Sequence, residues 1–325
     1  MTLTGSAAGK LLLFGEHAAV QGYPAVGVAL DRRVQVALTA ASRWRFTFQG
    51  VRVNSDEPAA FARWLDGEYA ESLRGPYHVV VTSDLPISRG LGSSAALCGA
   101  LSRAVGVADL SAAWSLAHSF EHFFHGTPSG VDTGLAIYER PLTFRFDGSK
   151  RTPVASSVRL PAAHLVIGTT PRMHAARDLI AMVRSAAAGP HGRAMIEELG
   201  MIGQTIAAAR ALRAEELGAY ADRAMELLTA FDLATETLQT ALDAGRSAGA
   251  LGGKLSGAGG GGAFYLVCDG AAQATRVCAA VQKHLPAGEL AFVHRLAPVK
   301  TDRLQVKMAP QVDVTQYHPV QQRNA

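Results

Sequence analysis

Four consecutive glycines, Gly259 to Gly262, run straight into the apolar stretch Ala263-Phe264-Tyr265-Leu266-Val267, and this junction constrains the fold more than any other part of the chain. Glycine loses more backbone freedom on ordering than any other residue, and a flexible linker would not lead at once into a strand. Lacking side chains must therefore serve a purpose there: close approach of backbone to another element or to a ligand. A structural turn packed against a second loop satisfies the same residues. That second loop is Gly90-Leu91-Gly92-Ser93-Ser94-Ala95, placed where a loop enters an alanine- and leucine-rich helix predicted over 93–105. Its glycines admit a close ligand, while first-turn amides and two serine hydroxyls aim donors at one place, which suits a phosphate. Taken alone, Gly92-Ser93 is equally well a capped helix start.

Two better-defined phosphate loops are tested by their flanking residues. A P-loop needs Gly-Lys followed by Ser or Thr, and both Gly-Lys pairs, Gly9-Lys10 and Gly253-Lys254, precede leucine. A dinucleotide fingerprint matches Gly90–Ala95 letter by letter, with Asp109 at a suitable distance for a ribose. The strand before it ends near Thr82, so the tight strand-turn-helix context is absent, and a dinucleotide-dependent oxidoreductase stays a remote alternative. Glu121, near the end of a helix predicted from Ser111 to Phe124, is followed by His125-Gly126-Thr127-Pro128-Ser129-Gly130-Val131-Asp132. Two carboxylates flanking a Gly/Pro-fixed loop can share one cleft, one as metal ligand and one as base, although a single carboxylate is more often a solvated surface group. Lys10 opens an apolar strand that leads to Gly15-Glu16-His17, and alternation places Lys10 and Glu16 on one face, since six residues is an even step on a strand. His17 is equally well a satisfied core histidine.

The chain of 325 residues has 48% hydrophobic and 18% charged residues, enough for a large core and a natural prior of two domains. Strands are predicted at 11–14, 25–30, 33–39 and 77–82, with a helix over 58–74. The polar stretch from Asp147 to Ser157 is the predicted boundary, dividing the chain into 1–157 and 158–325. Beyond it a strand at 164–169, a helix at 176–187, helices over 193–248 broken near Ala214 and Asp232, a strand at 263–268, a helix at 271–284 and a strand at 290–296 describe a split βαβ unit, an α+β arrangement. No element is predicted after Asp302. Thirty-one basic against 27 acidic residues leave a diffuse net charge of +4, unlike a nucleic-acid footprint but suited to anions in a cleft. Cys98, Cys268 and Cys278 are scattered, without zinc spacing. With no leader-like start and no membrane-length apolar run, a soluble cytoplasmic protein is expected.

These stretches together resemble the GHMP kinase superfamily. Ala7-Ala8-Gly9-Lys10-Leu11-Leu12-Leu13-Phe14-Gly15-Glu16-His17 is similar to the opening of its mevalonate kinase branch, Pro86 to Ala95 to its PxxxGLGSSA loop, Lys254 to Gly262 to its KLTGAGGGG loop, and Glu121 to Asp132 to its E-to-HGxPSGxD block with the same eleven-residue step. The resemblance implies an α+β two-domain fold, with an N-terminal domain like ribosomal S5 domain 2 and a ferredoxin-like C-terminal domain carrying inserted helices. It implies ATP and Mg2+ and a small hydroxy acid such as mevalonate as partner, while the diffuse charge and short apolar runs point to no nucleic acid and no membrane, and a homodimer is the assembly to test for. Carried over by position, Asp132 is the general base and Lys10 the cation that stabilises the substrate alkoxide. Gly90, Leu91, Gly92, Ser93, Ser94 and Ala95 wrap the triphosphate. Gly257, Ala258, Gly259 and Gly260 back the transferred phosphoryl group. Ser94 and Glu121 are the metal ligands, and Glu16 and His17 lie on the substrate side. The pattern departs at two places that bear on the acceptor: Ala175 and Ala176 stand where the family has hydroxyl residues, and Ala224-Met225 replaces an Asn-His pair. Arg172 or His174 is left to supply an anion contact. Phosphomevalonate, a sugar or an amino-acid alcohol are the alternative acceptors.

Overall fold

A long antiparallel hairpin dominates the first half: β1 (Leu3–Phe14) pairs with β2 (Ala25–Ala40). The computed structural model describes residues 2–50, 56–69, 73, 75–146, 153–297 and 304–309. After β2 come β3 (Arg45–Gln49), α1 (Glu57–Tyr69), β4 (Tyr77–Ser83), α2 (Ser93–Ala104), α3 (Leu110–His125), α4 (Val131–Tyr138), β5 (Leu142–Phe146) and β6 (Pro153–Ser157). The second half holds β7 (Ala163–Thr170), α5 (Ala176–Ala186), α6 (Pro190–Ala208), α7 (Ala214–Ala230), α8 (Glu236–Ser247), β8 (Gly252–Leu255), β9 (Gly262–Cys268), α9 (Ala271–Gln282), β10 (Ala291–Leu296) and finally β11 (Gln305–Lys307).

The first sheet runs β11-β6-β5-β2-β4-β3, with β1 on β2, and only the β3–β4 pairing is parallel. α2 lies directly on β1, which is why small residues such as Ala7, Ala8 and Gly9 fill that strand where a sequence pattern begins it only at Leu11. The second sheet runs β10-β7-β9-β8, all antiparallel. Numbered by chain order within the sheet, that is 4-1-3-2 with helices after the first and third strands, the ferredoxin-like arrangement with α6 to α8 inserted.

Two helices begin slightly earlier than predicted, α3 one residue before Ser111 and α6 three residues before 193. Asp109 accepts from the Ala112 amide at 2.8 Å and opens α3, and Pro190 opens α6. The break near Asp232 coincides with a left-handed residue at φ 60°. Six elements have no sequence prediction: β3, β5, β6, α4, β8 and β11, with β6 lying inside the stretch read as a boundary. In α4 every residue but Asp132 is buried, so no amphipathic stripe marks it. β8 is short, fully buried and half glycine. β11 lies in the tail, and it pairs with β6, so residues 305–307, which a division after Ser157 assigns to the second half, complete the first sheet. Of the predicted boundary stretch, residues 147–152 lie outside the described residues. No helix among the described residues is long and apolar enough to cross a membrane.

Candidate active site

Between the end of β4 at Ser83 and the start of α2 at Ser93, the loop folds back over β1, where the Lys10 amide donates to the Leu91 carbonyl at 2.9 Å. Nine residues, 84–92, separate strand from helix, so the dinucleotide-type turn does not form here. Gly92 caps α2 at φ 76°, and a β-carbon there would lie 2.6 Å from Lys10 Cγ. Glycine thus lets the lysine stem pass beneath the helix start, leaving the first-turn amides of Ser93 to Ala95 open to an anion.

Lys10 Nζ reaches Asp132 Oδ2 at 3.0 Å. Asp132 sits in the first turn of α4, whose start is fixed by the Trp114 indole donating to the Gly130 carbonyl at 2.8 Å. From α3, Glu121 is buried facing the same pair, and its carboxyl is pushed up to about 8, first by burial and then by Asp132, with Lys10 opposing. His125, one turn further, shares a hydrogen bond with Ser94 Oγ at 3.1 Å and stands 3.9 Å from Glu121 Oε1. Lys10, Asp132, Glu121 and Ser94, drawn from four elements, therefore converge on one cleft as the sequence expects, and His125 joins them.

Among the described residues no three His, Cys, Asp or Glu side chains form a metal cage. A buried carboxylate whose charge is opposed by burial, linked through His125 to a serine hydroxyl, nevertheless offers the hard oxygen donors that Mg2+ takes when it arrives with phosphates. The donor set fits.

The second glycine loop closes the cleft from β8 and β9. At Gly261, φ 96°, a β-carbon would fall 2.0 Å from the Pro171 carbonyl, so only glycine fits against the segment leading to α5. Met173 N–H donates to the Gly260 carbonyl at 2.8 Å, laying residues 171–174 over this loop. The guanidinium of Arg172 faces both Gly90 and Gly262, where the loops meet. Ala175 and Ala176 follow at the start of α5 and bring only methyl groups.

One expectation is corrected. Lys10 and Glu16 do not share a strand face, because β1 ends at Phe14, its register shifts on both sides of Leu11, and Gly15 turns the chain at φ 97°. Glu16 instead pairs with Lys254 at 2.6 Å, fully buried, and Lys254 Nζ also donates to the Leu13 and Leu255 carbonyls at 3.1 and 2.6 Å. His17 Nε2–H donates to the Ala258 carbonyl at 3.1 Å. Both residues thus hold the second glycine loop. Neither the Lys254–Glu16 pair nor the pair that Arg89 makes with Glu289 is signalled by local spacing, since the partners lie about 200 residues or more apart.

Two family models match the chain: "GHMP kinases N terminal domain" over residues 59–140 and "GHMP kinases C terminal" over residues 205–287. The mevalonate kinase of Methanothermobacter thermautotrophicus is 31% identical over 291 residues, covering 83% of this chain and 91% of that relative. The mevalonate kinase of Thermococcus sibiricus is 29% identical over 309 residues, covering 82% and 89%. Among solved structures, L. major mevalonate kinase in complex with R-mevalonate superposes with a TM-score of 0.79 at 20% identity, over 91% of this chain and 97% of that one.

Proposed function

The chain belongs to the GHMP kinases, with mevalonate kinases as its relatives, and from that premise we propose that it transfers the γ-phosphoryl group of ATP to the primary hydroxyl of mevalonate. The observation that carries this reading is the Lys10–Asp132 pair standing between the amide-lined start of α2 and the buried Glu121. A primary hydroxyl is a weak nucleophile near neutral pH, so transfer needs a base within hydrogen-bond reach and a cation beside the oxygen. Asp132 takes the hydroxyl proton as that oxygen attacks the γ-phosphorus. Lys10 steadies the negative charge that develops on it, and the bond to the β-phosphate oxygen breaks to release ADP. Amides and hydroxyls of Gly90 to Ala95 hold the triphosphate, with Gly257 to Gly260 behind the transferred group. Ser94 and Glu121 would hold Mg2+, which when bound offsets phosphate charge. The two parts of the chain, 1–157 and 158–325, supply one glycine loop each.

A coupled ADP-release panel with mevalonate, phosphomevalonate, galactose and homoserine tests the acceptor. Turnover confined to mevalonate is the expected result. Turnover of another acceptor alone would keep the kinase and move the substrate, a sensitive point because Ala175 and Ala176 offer the acceptor no hydroxyl. Thermal protection by NAD(P) and not by ATP with Mg2+ would overturn the kinase reading itself.

A further inference from the structure

Glu289 lies outside the cleft, in the turn before β10, with its side chain only 2% exposed. Both its oxygens are taken by Arg89: Nε donates to Oε2 at 3.0 Å and Nη2 approaches Oε1 at 2.7 Å. A fork of this kind fixes orientation as well as distance. Arg89 is the residue immediately before Gly90, and its carbonyl packs against Gly262 of the other loop. The mirror arrangement holds that other loop. Glu16, just beyond the end of β1, is bound to Lys254 and has the Gly257 amide among the donors that steady its charge. Each glycine loop is therefore clamped by a buried carboxylate supplied from the opposite sheet. Arg172 stands close enough to Arg89 to feel its charge, and burial followed by Arg89 lowers its pKa. Removing the Glu289 charge would leave two guanidinium groups facing each other at the mouth of the phosphate loop.

We propose that Glu289 is a positioning residue that, through Arg89, sets the separation of the two glycine loops and hence the grip on the nucleotide's phosphates. This rests on the reading of Gly90–Ala95 as the triphosphate loop. The test titrates the full chain with a non-hydrolysable ATP analogue and Mg2+ by calorimetry, without acceptor, for the wild type, Glu289→Gln, Arg89→Lys, Arg89→Met and the double variant Arg89→Met/Glu289→Gln. Glu289→Gln and Arg89→Lys should each weaken binding about tenfold, since the first loses the charge and the second the fork. In the Arg89→Met background Glu289→Gln should add less than about a twofold change, the signature of a residue acting through another. Steady-state turnover should show KM for ATP raised and kcat within about threefold, a split that general loss of folded protein does not produce. Unchanged or tighter binding in Glu289→Gln, or an equal further loss in the Arg89→Met background, would overturn the proposal. Should Glu289→Gln not fold, Arg89→Lys decides between the same two outcomes: weaker binding supports the clamp, and unchanged binding overturns it. A wild type that binds the analogue but does not phosphorylate mevalonate overturns the acceptor and leaves these ratios standing, whereas one that binds no nucleotide overturns both.

Discussion

Two Gly-Lys-Leu triplets occur in this chain, at Gly9 and at Gly253, and each lysine meets a carboxylate, yet the two pairs are built for opposite ends. Lys10 and Asp132 stand 3.0 Å apart with side chains 8% and 35% exposed, and Asp132 is Lys10's one ion-pair partner among the described residues. Lys254 and Glu16 stand 2.6 Å apart with side chains 0% and 2% exposed, and two carbonyls complete the coordination of the ammonium. Burial opposes charge on both partners of the second pair, lowering Lys254 and raising Glu16, while each partner's charge works against that shift. The same side chains thus give a proton acceptor open to a ligand in one place and a closed structural pin in the other. Access, set by what packs around them, decides the role.

The largest effect should come from removing the open carboxylate. Asp132→Asn keeps the shape and loses the base, so kcat should fall by roughly 10²–10⁴. Nucleotide affinity and urea midpoint should stay close to wild type. Near-normal turnover in this variant would erase the functional half of the comparison.

Next is the closed pair, where the loss should be in stability. Lys254→Met leaves Glu16 buried without a counter-ion, and breaking such a pair on one side costs about 3–5 kcal/mol. Converting Glu16 as well, in Lys254→Met/Glu16→Leu, should recover most of that loss in urea denaturation. Lys10→Met, whose partner Asp132 still reaches water, should cost about 1 kcal/mol or less while abolishing most turnover. Equal stability losses at Lys10 and Lys254 would contradict the assignment of roles by burial.

Much of the frame is legible in the sequence because it is periodic. The strand predicted over 77–82 and the alanine-rich run that predicts 93–105 correspond to β4 and α2 within a residue or two. α4 escapes because burial on all sides leaves no period, and β8 because two glycines and four residues carry too little pattern. At the site, motif order brings Lys10, Ser94, Glu121 and Asp132 together. What cannot be read locally is the partner of Glu16. Strand parity carries it to the side of Lys10, but the register shifts of β1 and the turn at Gly15 send it to Lys254, 238 residues away. Long-range pairs of this kind are set by how the two sheets dock, which no short window contains.

The smallest predicted effect concerns protons near each pair. His118, beside the Gly130 that starts α4, is pushed down to about 4 by burial and then by His122, and its Nδ1 is buried without a hydrogen-bond partner among the described residues. His17, over the closed pair, is also lowered by burial, but the Ala258 carbonyl it binds opposes that shift while Lys254 adds to it. Both rings stay neutral in the fold at pH values where the unfolded chain, with an imidazole near 6.5, takes up a proton. The unfolded state then binds more protons, so stability is fully present above about pH 6.5 and is lost as pH falls toward the folded values. Between pH 7 and 4.5 the urea midpoint of the wild type should decline, His118→Phe should flatten that decline most, and His17→Gln should flatten it less. The order follows from hydrogen bonding: the open region leaves its imidazole uncompensated, while the closed region gives its imidazole an acceptor. A larger flattening from His17→Gln would mean that the network around Lys254 is less completely satisfied than its distances indicate, and would weaken its reading as a pin.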